Sequence, residues 1–139
     1  MFNLSLTSDG SHSLYSEKFE AYYHSTHGAI QETQVVFIEA GLTEKLNKVN
    51  DSISILELGF GTGLNAFMTF LEALHCGKNI NYTTYELFPV GYEIASTLNY
   101  VEKLSAEKYY NVFREMHESL NESHLLEDKH NDGGLEESK

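Results

Sequence analysis

Residues 52–75 read SISILELGFGTGLNAFMTFLEALH, and this stretch decides the fold. Ser52 to Leu58 is a short, β-branched apolar run of the kind that forms a strand buried on both faces. Glycines then stand at alternate positions, Gly59, Gly61 and Gly63. Beyond them Leu64, Phe67, Met68, Leu71 and Leu74 recur at helical spacing up to a stop at Gly77, which makes them the core stripe of a helix. A strand that turns directly into a helix presents the helix's unpaired N–H groups and the positive end of its dipole. Glycines let that corner turn tightly and let a ligand approach where a Cβ would clash. The segment therefore predicts a ligand-binding turn for a nucleotide-like molecule.

Two details narrow the ligand. The dinucleotide fingerprint places a third glycine at its sixth position, for close helix packing, where this chain has Leu64, and no Gly-Lys-Ser/Thr follows to make a phosphate-binding loop. The pattern is instead Glu57-x-Gly59-x-Gly61-x-Gly63, with an acid near the strand's end. The next strand is predicted over 79–87, NINYTTYEL, and Glu86 stands at its end, 23 residues beyond Gly63. A carboxylate there can accept hydrogen bonds from both hydroxyls of a ribose. An acid before the glycines and another at the second strand end is the arrangement of class I S-adenosylmethionine (SAM) methyltransferases.

Working outward, NLSLT and SHSLY flank Asp9-Gly10 and predict a hairpin over 3–7 and 11–15. A helix is predicted from Ala29 to Ala40, capped by Ser25 or Thr26 and stopped by Gly41. Its buried face would be Ile30, Thr33, Val36, Phe37 and Ala40, and residues 42–51 would connect it to the strand. Helical spacing returns at Ile94, Leu98 and Val101 and again from Tyr109 to Leu120. The strand–helix–strand unit of 52–87 implies parallel pairing through a crossover. From about Ser119 the apolar pattern dissolves, which divides the chain into an ordered part, 1–118, and an acidic tail, 119–139, expected to lack regular structure.

The 139 residues suffice for one ordinary domain. The net charge of −12 divides evenly, −6 from residues 1–114 and −6 from 115–139, so neither part offers the Lys and Arg that grip phosphates. There is no apolar run long enough for a membrane helix and no signal-peptide pattern at the N-terminus. Cys76 is the only cysteine, which excludes an internal disulfide, fits a cytoplasmic protein, and together with scattered histidines gives no zinc spacing. His12, His24 and His27 read as loop or surface residues rather than bases. Tyr82, Tyr85, Tyr109 and Tyr110 read as packing residues.

The segments DGSHSLYSEKFEAYYHSTHGAIQETQVVFIEAGL, ILELGFGTGLNAF and YELFP together closely resemble the methyltransferase domain of MnmC/MnmD-type tRNA-modification enzymes. The resemblance runs from about Leu6 to Met116. It implies an α/β chain with part of a class I, Rossmann-like methyltransferase fold and an N-terminal β-hairpin. It also implies SAM-dependent methylation of the aminomethyl group on a tRNA wobble uridine, in the making of 5-methylaminomethyl-2-thiouridine. SAM would be the cofactor, tRNA the macromolecular partner, and an FAD-dependent oxidoreductase, fused in many relatives, would prepare the amine. Carried over by position, Glu57, Gly59, Gly61, Gly63 and Glu86 would bind the cofactor, with Tyr15, Glu32 and Asn65 as further candidates. The segment holding Tyr15, Ser16, Tyr23, His24, Gly28 and Glu32 would cover the pocket.

The chain also departs from that family. Relatives carry a later Asp-x-Phe-x-Pro segment bordering the methyl-transfer site and further strands that complete the sheet. Neither pattern occurs here, where the only proline is Pro89. The expectation is a truncated methyltransferase part with its C-terminal strands missing, no assigned catalytic residue, and no activity alone. Two other readings stand beside it: a non-catalytic piece that pairs its open sheet edge with another polypeptide, and a nucleotide-binding oxidoreductase fragment, against which Leu64 argues.

Overall fold

A computed structural model of the chain describes residues 1–48, 52–120, 127–129 and 135–138. At the N-terminus, β1 (Phe2–Leu6) and β2 (His12–Ser16) form the expected hairpin, with Leu4 opposite Leu14, and β3 (Ala21–Tyr22) adds antiparallel to β2. The chain around Asp9-Gly10 closes through the Thr7 N–H on the Ser11 carbonyl at 2.9 Å and the Gly10 N–H on the Thr7 carbonyl at 3.0 Å.

That hairpin tip also caps the next element. The Ala29, Ile30 and Gln31 N–H groups donate to Thr7 Oγ1 (3.2 Å), Ser11 Oγ (3.1 Å) and Asp9 Oδ2 (2.9 Å). The expected cap by Ser25 or Thr26 is therefore not used: no side chain of the local segment caps this helix, because the orphan donors are met from across the fold. Gly28 is required by the same contact, since a Cβ there would lie 2.6 Å from the Asp9 carboxylate.

The helix itself differs from expectation beyond its first turn. It runs through α1 (Ala29–Glu32), a π-helical segment (Thr33–Thr43) and α2 (Glu44–Lys48) without stopping at Gly41, and residues 42–48 are helical rather than connective. Residues 49–51 lie outside the described residues. The i→i+5 winding of a π-helix moves the buried line. Thr33, Ile38, Leu42 and Leu46, at steps of five, four and four, face the core, while Val36 is 68% exposed. Of the face expected for an α-helix, Thr33 is buried and Ile30 and Phe37 pack against the core, but Val36 and Ala40 are exposed.

β4 (Ser52–Leu58), α3 (Leu64–Cys76) and β5 (Asn79–Tyr85) form the parallel crossover unit, with Ser52 opposite Asn79 and Leu58 opposite Tyr85. Gly77 ends α3 in the left-handed region, as expected. The helices that follow are short: α4 (Tyr92–Ala95), α5 (Tyr100–Lys103), a 3-10 turn (Glu107–Tyr109) and α6 (Tyr110–Glu118). Phe67, Phe113, Tyr100, Met116, Ile80 and Tyr82 are almost fully enclosed, and Ile53 and Ile55 pack against this core.

β4 is not buried on both faces. Its exposure alternates along the strand, with Leu56 at 65% and Leu58 at 80%, and Tyr85 beside them is 52% exposed rather than packed. The core sits on the Ile53, Ile55, Ile80 and Tyr82 side, so the apolar residues of the opposite face have no cover among the described residues. A second difference lies in the stretch expected as a tail. There β6 (Glu127–Lys129) and β7 (Leu135–Ser138) join the sheet in the order β4-β5-β7-β6. β7 runs parallel to β5 from Ile80 to Thr83 and β6 antiparallel to β7, which pairs an edge that would otherwise present open N–H and C=O groups.

Asp9 holds the hairpin, the helix start and Gly28 in one contact. Burial pushes its carboxyl up, but hydrogen bonds from Ser11, Gln31 and Thr7 outweigh this and hold it below its ordinary value of 3.8. Asp9→Ala is expected to cost about 1–2 kcal/mol in urea unfolding at pH 7, the usual size of a lost helix cap. The difference from wild type should persist above pH 3.8 and vanish as pH falls through the lower folded value.

Candidate cofactor site

Gly59, Gly61 and Gly63 all adopt positive φ, at 91°, 59° and 79°. The Gly59 N–H extends the parallel ladder to the Tyr85 carbonyl at 2.7 Å, and Gly63, in the left-handed region, is the N-cap of α3. Gly63 is enforced twice, because a Cβ there would also lie 2.7 Å from both His117 Nε2 and the Phe60 ring. At Gly61 a Cβ would press on the Tyr23 ring at 3.2 Å.

Glu86 reaches this turn from the end of β5. The Gly61 N–H donates to its Oε2 at 2.9 Å, and the Phe88 N–H to its Oε1 at 3.0 Å. The carboxylate and the central amide of the turn are thus joined directly, and both line a cavity of about 430 Å³. Gly59, Phe60, Gly61 and Thr62 form its floor, Tyr23, His24 and Glu32 one wall, and Thr33, Val36 and Phe37 of the π-helical segment another. A π-helical insertion beside a cavity is a common position for that rare winding. The charged groups lining the cavity are carboxylates, Glu32 and Glu86, with no Lys or Arg among the described residues.

The expected site residues fall into three groups. Gly59, Gly61, Glu86, Glu32 and Asn65 line the cavity. Glu57 and Gly63 lie behind it. Glu57 Oε1 accepts from Thr84 Oγ1 at 2.9 Å, and burial pushes its carboxyl up, a shift that hydrogen bonds from Tyr82, Thr84 and Asn65 oppose and the neighbouring Glu86 charge adds to. Asn65 Oδ1 in turn accepts from Thr33 Oγ1 at 3.0 Å, tying α3 to the long helix. Tyr15 belongs to neither group: it packs edge-on against Tyr22 at 5.0 Å, away from the turn.

His24 lines the cavity, in keeping with what the resemblance implied for its segment, and is no surface histidine: its side chain is 12% exposed, whereas His27 is exposed. Two contributors were not legible as such. Thr62 sits 1% exposed between two glycines whose spacing alone attracted notice. His117 comes from α6, more than fifty residues away, and packs under the turn with Phe60 and Phe113 rings at 5.0 and 4.7 Å. Among the described residues no group of three His, Cys, Asp or Glu is placed to hold a metal ion, and no helix is long and apolar enough to cross a membrane.

A half-covered α/β sheet with a glycine-rich corner, an acid at the next strand end and a cavity beside them is consistent with part of a Rossmann-like fold. No family model matches the chain. It is 30% identical over 122 residues to the tRNA 5-methylaminomethyl-2-thiouridine biosynthesis bifunctional protein MnmC of Leptospira borgpetersenii, covering 82% of this chain and 19% of that protein. The same-named proteins of Leptospira interrogans and Idiomarina loihiensis are 34% identical over 85 residues and 33% over 81, covering 56% and 54% of this chain and 13% of each relative. The chain thus spans less than a fifth of the curated relatives it matches. The crystal structure of MNMC2 from Aquifex aeolicus superposes with a TM-score of 0.61 at 20% identity, covering all of this chain and 43% of that one. The resemblance read from the sequence holds: the chain is a homologue of a portion of MnmC.

His117 gives the site a measurable pH signature. Burial pushes its imidazole from 6.5 down to about 4, so the unfolded chain takes up this proton first as pH falls. Stability should therefore decline between pH 6.5 and 4, by roughly 3 kcal/mol from this group. Urea midpoints of His117→Leu across that range should show a correspondingly shallower decline than wild type.

Proposed function

We propose that the chain is the cofactor-binding part of a SAM-dependent methyltransferase acting on tRNA. The observation that carries this reading is the hydrogen bond of Glu86 to the Gly61 amide beside a cavity lined by carboxylates and no cationic side chain. A pyrophosphate-bearing dinucleotide would meet two carboxylates there, and Leu64, 1% exposed, closes the position where such ligands need a third glycine. A cofactor carrying a sulfonium and an ammonium meets favourable charge instead. The residues fit the group: Gly59 and Gly61 leave that side of the cavity free of Cβ atoms, and Glu86 offers a ribose its remaining lone pairs.

When bound, SAM supplies an electrophilic methyl for in-line displacement by an amine. Gly59 and Gly61 keep the turn free of Cβ atoms, Glu86 orients the sugar, and Tyr23, Val36 and Phe37 exclude water from one side. Such positioning accounts for most of the acceleration in a transfer that needs no general base once the amine is neutral. The relatives' name, a tRNA 5-methylaminomethyl-2-thiouridine biosynthesis bifunctional protein, supports an aminomethyl group on a tRNA uridine as acceptor. That this is the wobble uridine and that an FAD-dependent oxidoreductase prepares the amine come from the family resemblance alone. With its net charge of −12 the chain contributes little to holding tRNA phosphates.

Isothermal titration of SAM tests this. Wild type should bind in the micromolar range, and Glu86→Ala should weaken binding about 10- to 100-fold, the effect of losing hydrogen bonds to a charged group, while the fold survives. Absence of binding at high micromolar SAM, or an Ala variant that binds as well as wild type, overturns the reading.

A second reading rests on the sheet. Leu56, Leu58, Tyr85 and Leu87 expose an apolar face, and β4 is an edge strand. These features suit pairing with a polypeptide that supplies adjoining strands. Co-expression with the C-terminal half of a related methyltransferase domain should raise solubility and produce methylation of tRNA; no rescue of either counts against it.

A further inference from the structure

The N-terminal wall of the cavity is joined to the glycine turn through a single ring. His24 follows β3, and its Nε2 lies 2.7 Å from Thr62 Oγ1, while its Nδ1 faces Glu32 Oε1 at 3.6 Å. Thr62 is the residue between Gly61 and Gly63, so the contact falls at the centre of the turn. Glu32 belongs to α1, whose first N–H groups are held by the hairpin tip. Three elements thus converge on one imidazole.

The backbone of this segment is fixed without the ring. The Tyr23 N–H donates to the Leu14 carbonyl at 2.9 Å and the His24 N–H to Ser13 Oγ at 3.1 Å. The Ser25 N–H donates to Glu32 Oε1 at 3.2 Å. Removing the imidazole therefore leaves the segment in place and deletes the ring's contacts with Thr62, Glu32 and Tyr100.

The proton positions follow from the partners. A carboxylate beside Nδ1 favours a proton there, which leaves Nε2 as an acceptor for the Thr62 hydroxyl. Burial pushes the His24 imidazole down, and the Glu32 charge opposes that shift without cancelling it, so the ring is neutral near pH 7. The titratable groups facing it are Glu32 from α1, Tyr100 from α5 with its ring edge-on at 6.3 Å, and, across the cavity, Tyr23 and Glu86.

We propose that His24 is a positioning residue of the cofactor cavity: bridging Glu32 and Thr62, its ring clamps the glycine turn to the N-terminal wall and holds the Gly61–Thr62 backbone in the arrangement that shapes the ligand's side of the cavity. The identity of the ligand as SAM rests on the function proposed above, whereas the clamp is a property of the free protein.

The test reads both. Backbone amide exchange at Gly61, Thr62 and Gly63 is measured by NMR in the free protein, and SAM affinity by calorimetry, for wild type, His24→Ala, His24→Gln, Thr62→Val and the His24→Ala/Thr62→Val double variant. His24→Ala and Thr62→Val should each raise exchange at the turn about tenfold and weaken SAM about tenfold, the effect of one hydrogen bond, with exchange at Ile80 and Tyr82 in β5 unchanged. The double variant should be no worse than either single one, and His24→Gln, whose amide reaches Thr62, should recover part of both effects. Ring nitrogen shifts should report a proton on Nδ1, and Glu32→Gln should lower the His24 titration midpoint. Should His24→Ala fail to fold, Thr62→Val decides the matter, being close to isosteric. Unchanged turn exchange in folded His24→Ala or in Thr62→Val overturns the clamp. Wild type that does not bind SAM while His24→Ala still loosens the turn overturns the proposed function and leaves the clamp standing.

Discussion

Between Leu58 and Leu64 the backbone passes through positive φ at alternate residues, a path that side chains with a Cβ rarely follow. Everything around the cavity is arranged about that path. The Gly59 N–H continues the parallel ladder to Tyr85, the Gly61 N–H turns to Glu86, and Gly63 opens α3 while His117 and Phe60 press against it. A turn held by a strand on one side, a helix on the other and an aromatic bed beneath has little freedom to relax. Its backbone is therefore held in one arrangement, with the Gly59, Gly61 and Gly63 N–H groups satisfied within the fold and no Cβ at Gly59 or Gly61 to intrude on the cavity.

The N-terminal hairpin is fastened by polar contacts of long sequence separation. Its tip caps the long helix through Thr7, Asp9 and Ser11, and Asn99 grips it on two sides, accepting from the His12 N–H at 2.9 Å and donating to the Gly10 carbonyl at 2.9 Å. Tyr100 adds a hydrogen bond to the His12 carbonyl at 2.7 Å. Most of these bonds satisfy backbone groups that would otherwise be orphaned on burial. The hairpin is thereby placed as one wall of the cavity, and Tyr23 and His24 come to the turn as a consequence.

The crossover unit was legible because its signals are local: a β-branched run, three glycines, a helical stripe and a terminal glycine lie in order within twenty-six residues. The long helix was legible in existence but not in phase. Val36 and Phe37 look like core at α-helical spacing, yet π winding carries them to the cavity side and brings Ile38 and Leu42 inward. No residue type announces that winding, so the pattern misleads. The trans cap was hidden for a related reason: a helix start is read from its own flanks, and here its partners lie about twenty residues upstream. His117 carries no local signal at all, since only tertiary packing brings α6 beneath the turn.

The sheet's uneven burial bears on how an acidic chain could serve a polyanionic substrate. On one face Ile53, Ile55, Ile80 and Tyr82 meet helices; on the other Leu56, Leu58 and Tyr85 meet none among the described residues. Exposed leucines at alternate strand positions are a cost in water that burial against another element removes, at about 25 cal/mol for each Å² covered. The cavity opens next to that face, with Tyr23, Gly59 and Glu86 shared between the two surfaces. An element covering the leucines would thus border the cavity as well. Under the proposed function, the cations that hold tRNA phosphates would come from such an element, because the cavity itself is lined by the carboxylates Glu32 and Glu86. Under that function, such a separation would keep cations on the covering element from competing with the sulfonium for Glu32 and Glu86 by Coulomb attraction.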